Sequence, residues 1–250
     1  MTGRGISTDR ILSKLDEYLH KNDYGSAEKH LLYWLTESID GKDARTELLV
    51  RNELMGLYRK QGQEREAIDC AEKALAKIES LNIACQVGSA TTFLNAATVY
   101  KAFGKADVAL PIFEKARSVY ERELESNDER LAGLYNNMAL ALVDLSRFEE
   151  ATALYQQALS ILAQSETGDL EMAITYLNMA SALEAEYGLE EANERIAELS
   201  KMAEDILEQH TPRDGYYAFV CEKCASVFDY YGYFFYAKEL KKRAGRIYAE

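Results

Sequence analysis

The sequence predicts an all-α fold, an α-solenoid built from about six helix-turn-helix repeats. The first observation is an alanine that recurs at intervals of 40 to 45 residues: Ala27, Ala67, Ala109, Ala151, Ala192 and Ala237. The second is that apolar residues recur three and four positions apart on both sides of a short polar break in each repeat. The third is composition, because only two of the 250 residues are proline, as a largely helical chain requires.

Each repeat is predicted to be a hairpin whose two helices meet at its polar break. In chain order the breaks are residues 21–25, 60–63, 102–105, 145–148, 186–189 and 231–234. The repeats are predicted at residues 8–41, 48–85, 90–128, 132–168, 173–210 and 216–250. Turn-forming sequences such as residues 40–43 and 167–169 separate them. Because no flexible linker interrupts the series, we expect one domain over residues 1–250.

Other positions lie at a fixed distance from the recurring alanine in every repeat, and positions at the same distance are said to share a register. Nine residues before it stand Tyr18, Tyr58, Tyr100, Leu142, Leu183 and Phe228, and twelve before it stand Leu15, Met55, Ala97, Ala139, Ala180 and Ala225. Small residues suit places where two helices cross closely, since a larger side chain would push the axes apart.

These positions resemble the tetratricopeptide repeat family over residues 8–248, most closely at residues 137–151. The repeat length and Pro111, two residues after Ala109, resemble the variant found in kinesin light chains. The resemblance implies a right-handed solenoid whose first helices line an inner, concave surface.

The charge balance argues against nucleic acid and membrane partners. The chain has 29 Lys and Arg against 42 Asp and Glu, a net charge of −13, which repels phosphate backbones and anionic lipids. No apolar run approaches membrane-spanning length, and the first seven residues lack the apolar segment of a secretory signal. We therefore expect a cytoplasmic protein whose four cysteines are reduced.

The motif that most suggests chemistry is the Cys-x-x-Cys pair of Cys221 and Cys224. A zinc site would need two further ligands, and no second cysteine or histidine pair has suitable spacing. Both cysteines fall at core positions of the sixth repeat, so we predict small buried core residues. The three histidines lie apart, and no phosphate-binding loop or nucleophile motif occurs. The sequence therefore predicts no enzyme activity, no cofactor and no metal.

Asparagine recurs on the first helices of three consecutive repeats. Asn95, Asn137 and Asn178 share one register, and Asn136 and Asn52 lie directly beside it. An asparagine amide can both donate to and accept from a peptide main chain. In peptide-binding members of the resembled family such asparagines clamp an extended ligand, which implies the same role here. The alternative is that they cap or cross-link neighbouring helices.

Further residues of the predicted inner surface are Arg59, Lys60, Lys101, Leu140, Ile174 and Leu177. This surface would be basic near the second and third repeats and apolar near the fourth to sixth. It therefore predicts a ligand with an acidic portion and large apolar side chains. The alternative is that the basic residues are ordinary solvated surface.

The sixth repeat is rich in aromatic residues, since ten of the 21 residues from 216 to 236 are Tyr or Phe. Phe228 and Phe234 have core registers, whereas Tyr231, Tyr233, Phe235 and Tyr236 exceed what one hairpin is expected to bury. Exposed aromatic clusters usually mark contact surfaces, so we expect self-association or partner docking there. The alternative is burial under the fifth repeat.

The favoured interpretation is a scaffold or adaptor that binds a peptide or protein segment in the concave groove. One alternative is a peptide-sensing regulator of the bacterial quorum type that acts through a separate output partner. The other is a structural subunit that assembles with copies of itself.

Overall fold

The computed structural model describes residues 7–249, and in this range it contains twelve α-helices and no strand. The all-α helical-repeat class is thus confirmed. Residues 1–6 and Glu250, which the predicted domain includes, lie outside the described part. The helices pair into six hairpins: α1 (Thr8–His20) with α2 (Tyr24–Asp40), α3 (Ala44–Lys60) with α4 (Glu64–Ser80), α5 (Val87–Ala102) with α6 (Ala106–Glu123), α7 (Glu129–Asp144) with α8 (Phe148–Leu162), α9 (Asp169–Tyr187) with α10 (Leu189–Gln209), and α11 (Gly215–Tyr230) with α12 (Phe234–Ile247).

The chain divides into two compact units, Met1–Glu123 and Leu124–Glu250. The first unit holds α1 to α6 and the second holds α7 to α12. Within each unit the two helices of a hairpin pack on each other, and first helices of successive hairpins also pack together. These first-helix pairs are α3 with α5, α7 with α9, and α9 with α11.

The recurring alanine is the fourth residue of the second helix in every hairpin, and all six copies are buried. Its backbone N–H closes the first helical turn by donating to the carbonyl four residues earlier, as Ala27 does to Asp23 at 3.0 Å and Ala237 to Tyr233 at 2.9 Å. A methyl side chain lets the neighbouring helix approach closely at this level. The register that the sequence predicts for the hairpin core is therefore found in both units.

Each hairpin turn contains one residue with positive φ, the left-handed conformation that ends a helix. Glycine occupies this place in four turns, because it has no Cβ to oppose that conformation. The residues are Asn22, Gly62, Gly104, Ser146, Gly188 and Gly232. The polar breaks predicted from the sequence are thus the sites where the chain reverses.

First helices of four hairpins begin three or four residues before the predicted repeat starts of 48, 90, 132 and 173. Their opening turns are largely polar, so an apolar register does not mark them. Aspartate caps supply the missing signal in two of these hairpins. Asp43 accepts from the Thr46 N–H at 3.1 Å, and Asp128 accepts from the Arg130 N–H at 3.0 Å.

The core of the second unit forms where α9, α10, α11 and α12 meet, and Tyr217, Phe228 and Leu240 are among its buried side chains. A smaller cluster joins α9 to α10 through Ala180, Ala192 and Ile196. Apolar surface is therefore buried between helices. Among the described helices, none has the length and apolar character needed to cross a membrane.

Candidate functional site

A cavity of about 490 Å³ lies between α3 and α5, the first helices of two successive hairpins in the first unit. The N-terminal halves of both helices form its walls. Asn52 and Asn95, two of the asparagines singled out from the sequence, line it. Glu53 lines it as well, although the sequence analysis did not identify this residue. The cavity therefore brings an amide from each helix and a carboxyl group to one surface.

Asn52 also links the two helices that form the cavity. Its Nδ2 atom donates to Oγ1 of Thr92 at 3.1 Å, and the threonine hydroxyl donates to a carbonyl one turn earlier in α5 at 3.3 Å. In the second unit, Asn136 donates to Oγ1 of Thr175 at 2.7 Å, and that hydroxyl donates into α9 at 2.8 Å. The same amide–hydroxyl–carbonyl chain thus joins α3 to α5 and α7 to α9.

The prediction that Asn136 contacts a ligand is corrected by this link. Its side chain is only 6% exposed and its donor is used between helices, which is the cross-linking role held as the alternative. The Oδ1 atoms of Asn136 and Asn52 are buried and accept no hydrogen bond from a described residue. Such an oxygen costs about 1–3 kcal/mol when buried without a partner. Because Asn52 Oδ1 has almost no exposure, a ligand donor reaches it only if neighbouring side chains shift.

The three asparagines of the shared register differ in the hydrogen bonds that their side chains make. Asn95, Asn137 and Asn178 are all half-buried on first helices. Asn137 Nδ2 donates to the Gly133 carbonyl at 2.8 Å, within its own helix. Within residues 7–249, the side chains of Asn95 and Asn178 make no hydrogen bond. None of the three cross-links helices as Asn136 does, and their role toward a ligand stays a prediction.

Glu53 occupies the register of these asparagines one repeat earlier, 42 residues before Asn95. It is half-buried in α3. Burial raises the pKa of its carboxyl, and the negative charge of Asp16 in α1 raises it further. The 42-residue spacing was the signal that could have identified Glu53, but a search for repeated asparagines passes over an acidic residue at that place.

The predicted basic residues lie toward the other end of the same helices. Arg59 and Lys60 are exposed in the last turn of α3, and Lys101 is half-buried in the last turn of α5. Lys60 Nζ lies 5.3 Å from the ring centre of Tyr24. Cations at a helix C-terminus also offset the partial negative charge there. Contact between these residues and an acidic ligand stays a prediction.

Two of the predicted apolar groove residues belong to the protein core instead. Ile174 is 8% exposed and Leu177 is 2% exposed, and both join the buried cluster that α9 forms with α11. The repeat spacing correctly places both residues on the first helix of their hairpin. However, α11, the first helix of the next hairpin, covers this face of α9. Leu140 in α7 remains half-buried. Of the three predicted apolar groove residues, Leu140, Ile174 and Leu177, only Leu140 is therefore partly exposed.

The two cysteines of the Cys-x-x-Cys pair are buried in the core of the second unit, as predicted. Burial raises the pKa of both thiols, that of Cys224 to about 12. They are therefore thiols rather than thiolates at neutral pH. Among residues 7–249, no cluster of His, Cys, Asp and Glu is arranged to hold a metal ion.

Five of the ten aromatic residues from 216 to 236 are buried or half-buried inside their unit, and these include three of the four predicted surplus residues. Tyr231 donates to Glu184 Oε2 at 2.9 Å and packs on the smaller α9–α10 cluster, while Tyr233 and Tyr236 meet the ring of Phe228 edge-on. The expectation that these three tyrosines exceed the available core is therefore wrong, because Phe228 of the same hairpin covers two of them and the fifth hairpin covers Tyr231.

Two phenylalanines at the start of α12 behave differently. Phe235 is 94% exposed, which agrees with its prediction as a surplus aromatic residue. Phe234 is 64% exposed, so its prediction as a core residue is wrong. It is the first residue of α12, where the chain leaves the turn and where Tyr233 and Tyr236 take the positions against Phe228. Both phenylalanines contribute to an exposed apolar surface.

The chain is similar to one known repeat family and to solved structures of repeat proteins. The tetratricopeptide repeat model matches residues 46–122 and 88–164. The crystal structure of BtubC (BKLC) from P. vanneervenii is 20% identical, with 82% of each chain covered and a TM-score of 0.68. The nearly identical TPR-like repeats of a candidate kinesin light chain from Podosopora anserina are 18% identical, cover 82% of this chain and 96% of theirs, and give a TM-score of 0.53. No curated protein matches. At these identities the two structures establish similarity of fold alone.

Proposed function

We propose that this chain, which contains tetratricopeptide repeats over residues 46–164, is a scaffold that binds a segment of a partner protein at the cavity between α3 and α5. Repeats of this family generally mediate contacts between proteins, and their proteins are generally non-enzymatic scaffolds. The single observation that carries the proposal is the cavity, which gathers Asn52, Glu53 and Asn95 on one surface.

The size and chemistry of this cavity suit an extended peptide segment. Its volume of about 490 Å³ lies in the range of ordinary ligand sites. Leu48 and Leu49 supply apolar wall, and Asn95 supplies an amide whose hydrogen-bonding groups are not used by any residue from 7 to 249. A peptide main chain offers N–H and C=O groups at regular spacing, so one amide can both donate to it and accept from it.

The second unit offers the same amide at two further places. Asn137 in α7 and Asn178 in α9 share the register of Asn95 and are half-buried. We propose that these side chains also contact the main chain of a partner segment, with Leu140 as an apolar neighbour. This part of the proposal is independent of the cavity in the first unit.

Peptide display tests the proposal. Random dodecapeptides are selected on the full chain, and the affinity of a selected peptide is then measured for the wild type and for Asn95→Ala. We expect the variant to bind about tenfold more weakly, since a lost hydrogen-bond partner costs about 1–3 kcal/mol and 1.4 kcal/mol is a factor of ten. Asn193→Ala makes the same change on the exposed face of α10 and should bind as the wild type does. Equal affinity of all three proteins would contradict the proposal.

A second candidate function is self-association through the start of α12. The exposed Phe235 and Phe234 support it, because adjacent exposed aromatic side chains usually mark a contact surface. The proposed occupant is a second copy of this chain. Light scattering over a wide range of protein concentration should show a dimer or larger species that Phe235→Ala shifts toward monomer. A monomer mass at every concentration would rule it out.

A further inference from the structure

The cavity between α3 and α5 contains a carboxyl group that no described residue neutralises. Glu53 lines the cavity and makes no ion pair or side-chain hydrogen bond within the described chain. The charge that acts on it most clearly is that of Asp16, which has the same sign. Loss of water around the carboxylate and repulsion by Asp16 both raise its pKa, so holding it as an anion is unfavourable.

The same helix shows how this protein accommodates a carboxylate with a structural role. Glu47 lies six residues before Glu53 and is buried, but it pairs with Arg51 at 2.9 Å and with Lys77 at 2.7 Å. Burial alone would raise the pKa of Glu47, yet the bonds from Lys77 and Arg51 bring it below its ordinary value. Glu53 has no such partners, and a cation supplied from outside the chain would fill the same role.

The cation on the cavity wall cannot substitute for such a partner. Arg45 also lines the cavity, but it is exposed and lies eight residues from Glu53 along α3, which is about 12 Å. On the facing helix, the cavity residues from Gln86 to Asn95 are uncharged. The cavity is therefore lined by the carboxyl group of Glu53 and the amide of Asn95, and no charged residue of α5 lines it.

We propose that Glu53 recognises a cationic group, so that the segment bound at this cavity places a Lys or Arg side chain, or a free amino group, against it. This inference rests on the proposed function and specifies its ligand. A charged donor forms a short, strong bond with a carboxylate, and partial burial of Glu53 strengthens that bond relative to one in open water. The amide oxygen of Asn95 can accept a second hydrogen from the same group. The net charge of −13 favours approach of a basic segment.

Parallel selections test the inference on the full chain. Random dodecapeptides are selected on the wild type and on Glu53→Gln, which keeps the shape of the side chain and removes its charge. We expect Lys or Arg to be enriched at one peptide position on the wild type and not on the variant. Replacing that residue by norleucine or citrulline should weaken binding to the wild type at least about tenfold and leave binding to Glu53→Gln nearly unchanged.

Glu66→Gln, the same change at an exposed position of α4, is the matched control and should retain the wild-type preference. A thermal melt of Glu53→Gln, expected at or above the wild-type temperature, verifies that the variant is folded. If peptides bind, Asn95→Ala weakens them, and Glu53→Gln changes neither affinity nor preference, the cation inference is overturned while the proposed function stands. If the wild type selects no peptide, both are overturned.

Discussion

The Nδ2 atom of Asn52 donates a 3.1 Å hydrogen bond to Oγ1 of Thr92, a residue of the next hairpin's first helix. The bond ties the first helix of one hairpin to the first helix of the next, and Asn136 and Thr175 repeat it in the second unit. This bond distinguishes two groups of asparagine, which stand next to each other in the sequence at Asn136 and Asn137. Asn52 and Asn136 cross-link helices, whereas Asn95 lines the cavity and makes no side-chain hydrogen bond within the described residues.

Replacing the cross-linking asparagine should affect stability more than replacing its neighbour. Asn136→Ala leaves the hydroxyl of Thr175 without its donor in a buried place, so we expect a loss of about 1–2 kcal/mol in the free energy of unfolding. Asn137→Ala removes only a bond to its own helix at a half-buried position and should change stability little. Urea unfolding of the two variants decides the matter, and an equal loss would show that both asparagines are structural.

The recurring alanine should not tolerate a larger side chain. Ala151→Leu places extra methyl groups at a buried helix contact, and we expect it to cost about 1–3 kcal/mol. Ala153→Leu makes the same change two residues later on the exposed face of α8 and should be nearly neutral. Comparison of their unfolding midpoints in urea tests the register, and similar midpoints would mean that Ala151 is not at a tight contact.

Glu47 should stabilise the fold in a pH-dependent way. Its pKa in the folded protein lies below the ordinary value of 4.5, so its contribution is present above that value and disappears as pH falls through the folded pKa. Glu47→Gln leaves Arg51 and Lys77 without their carboxylate and should cost about 3 kcal/mol at neutral pH. Urea unfolding at a series of pH values should show the wild type and the variant converging in acid. A constant difference across that series would argue against the pairing.

Glu53 should have the opposite effect. Because its pKa is raised in the folded state, the wild type loses stability as pH rises from the ordinary value through the folded pKa. Glu53→Gln cannot ionise, so we expect it to be more stable than the wild type at neutral pH and equal to it in acid. A variant less stable than the wild type at neutral pH would indicate a structural partner for this carboxyl.

Much of the fold could be predicted because a recurring small residue reports local packing directly. Ala27 and its five equivalents mark the same buried place in every hairpin. The spacing of residues within a repeat does not show which neighbouring helix covers a given helix face. For that reason the sequence predicts Ile174 and Leu177 as groove residues, although α11 packs over them. Phe234 was misplaced because the first residue of a helix need not follow the apolar face of the turns after it.

The candidate site was only partly predictable for a related reason. Asn95 and Asn52 were identified because asparagine repeats in the sequence, and both line the cavity. Glu53 shares the register but not the residue type, and only the structure shows that it lines the cavity without an ion-pair partner among the described residues. The acidic portion of the ligand that the sequence predicts would contact Arg59, which lies about 9 Å from Glu53 along α3. A cation at Glu53 and an acidic group near Arg59 are therefore compatible.

The most direct measurement is calorimetric titration of a selected dodecapeptide into Leu49→Trp. Leu49 lines the cavity from α3 and is half-buried, so a larger ring there occupies the space without removing Asn52, Glu53 or Asn95. We expect an unfolding midpoint close to that of the wild type and a loss of peptide affinity of at least about tenfold, since the ring takes the volume that the ligand needs. Wild-type affinity in a folded Leu49→Trp protein would contradict the claim that partners bind between α3 and α5.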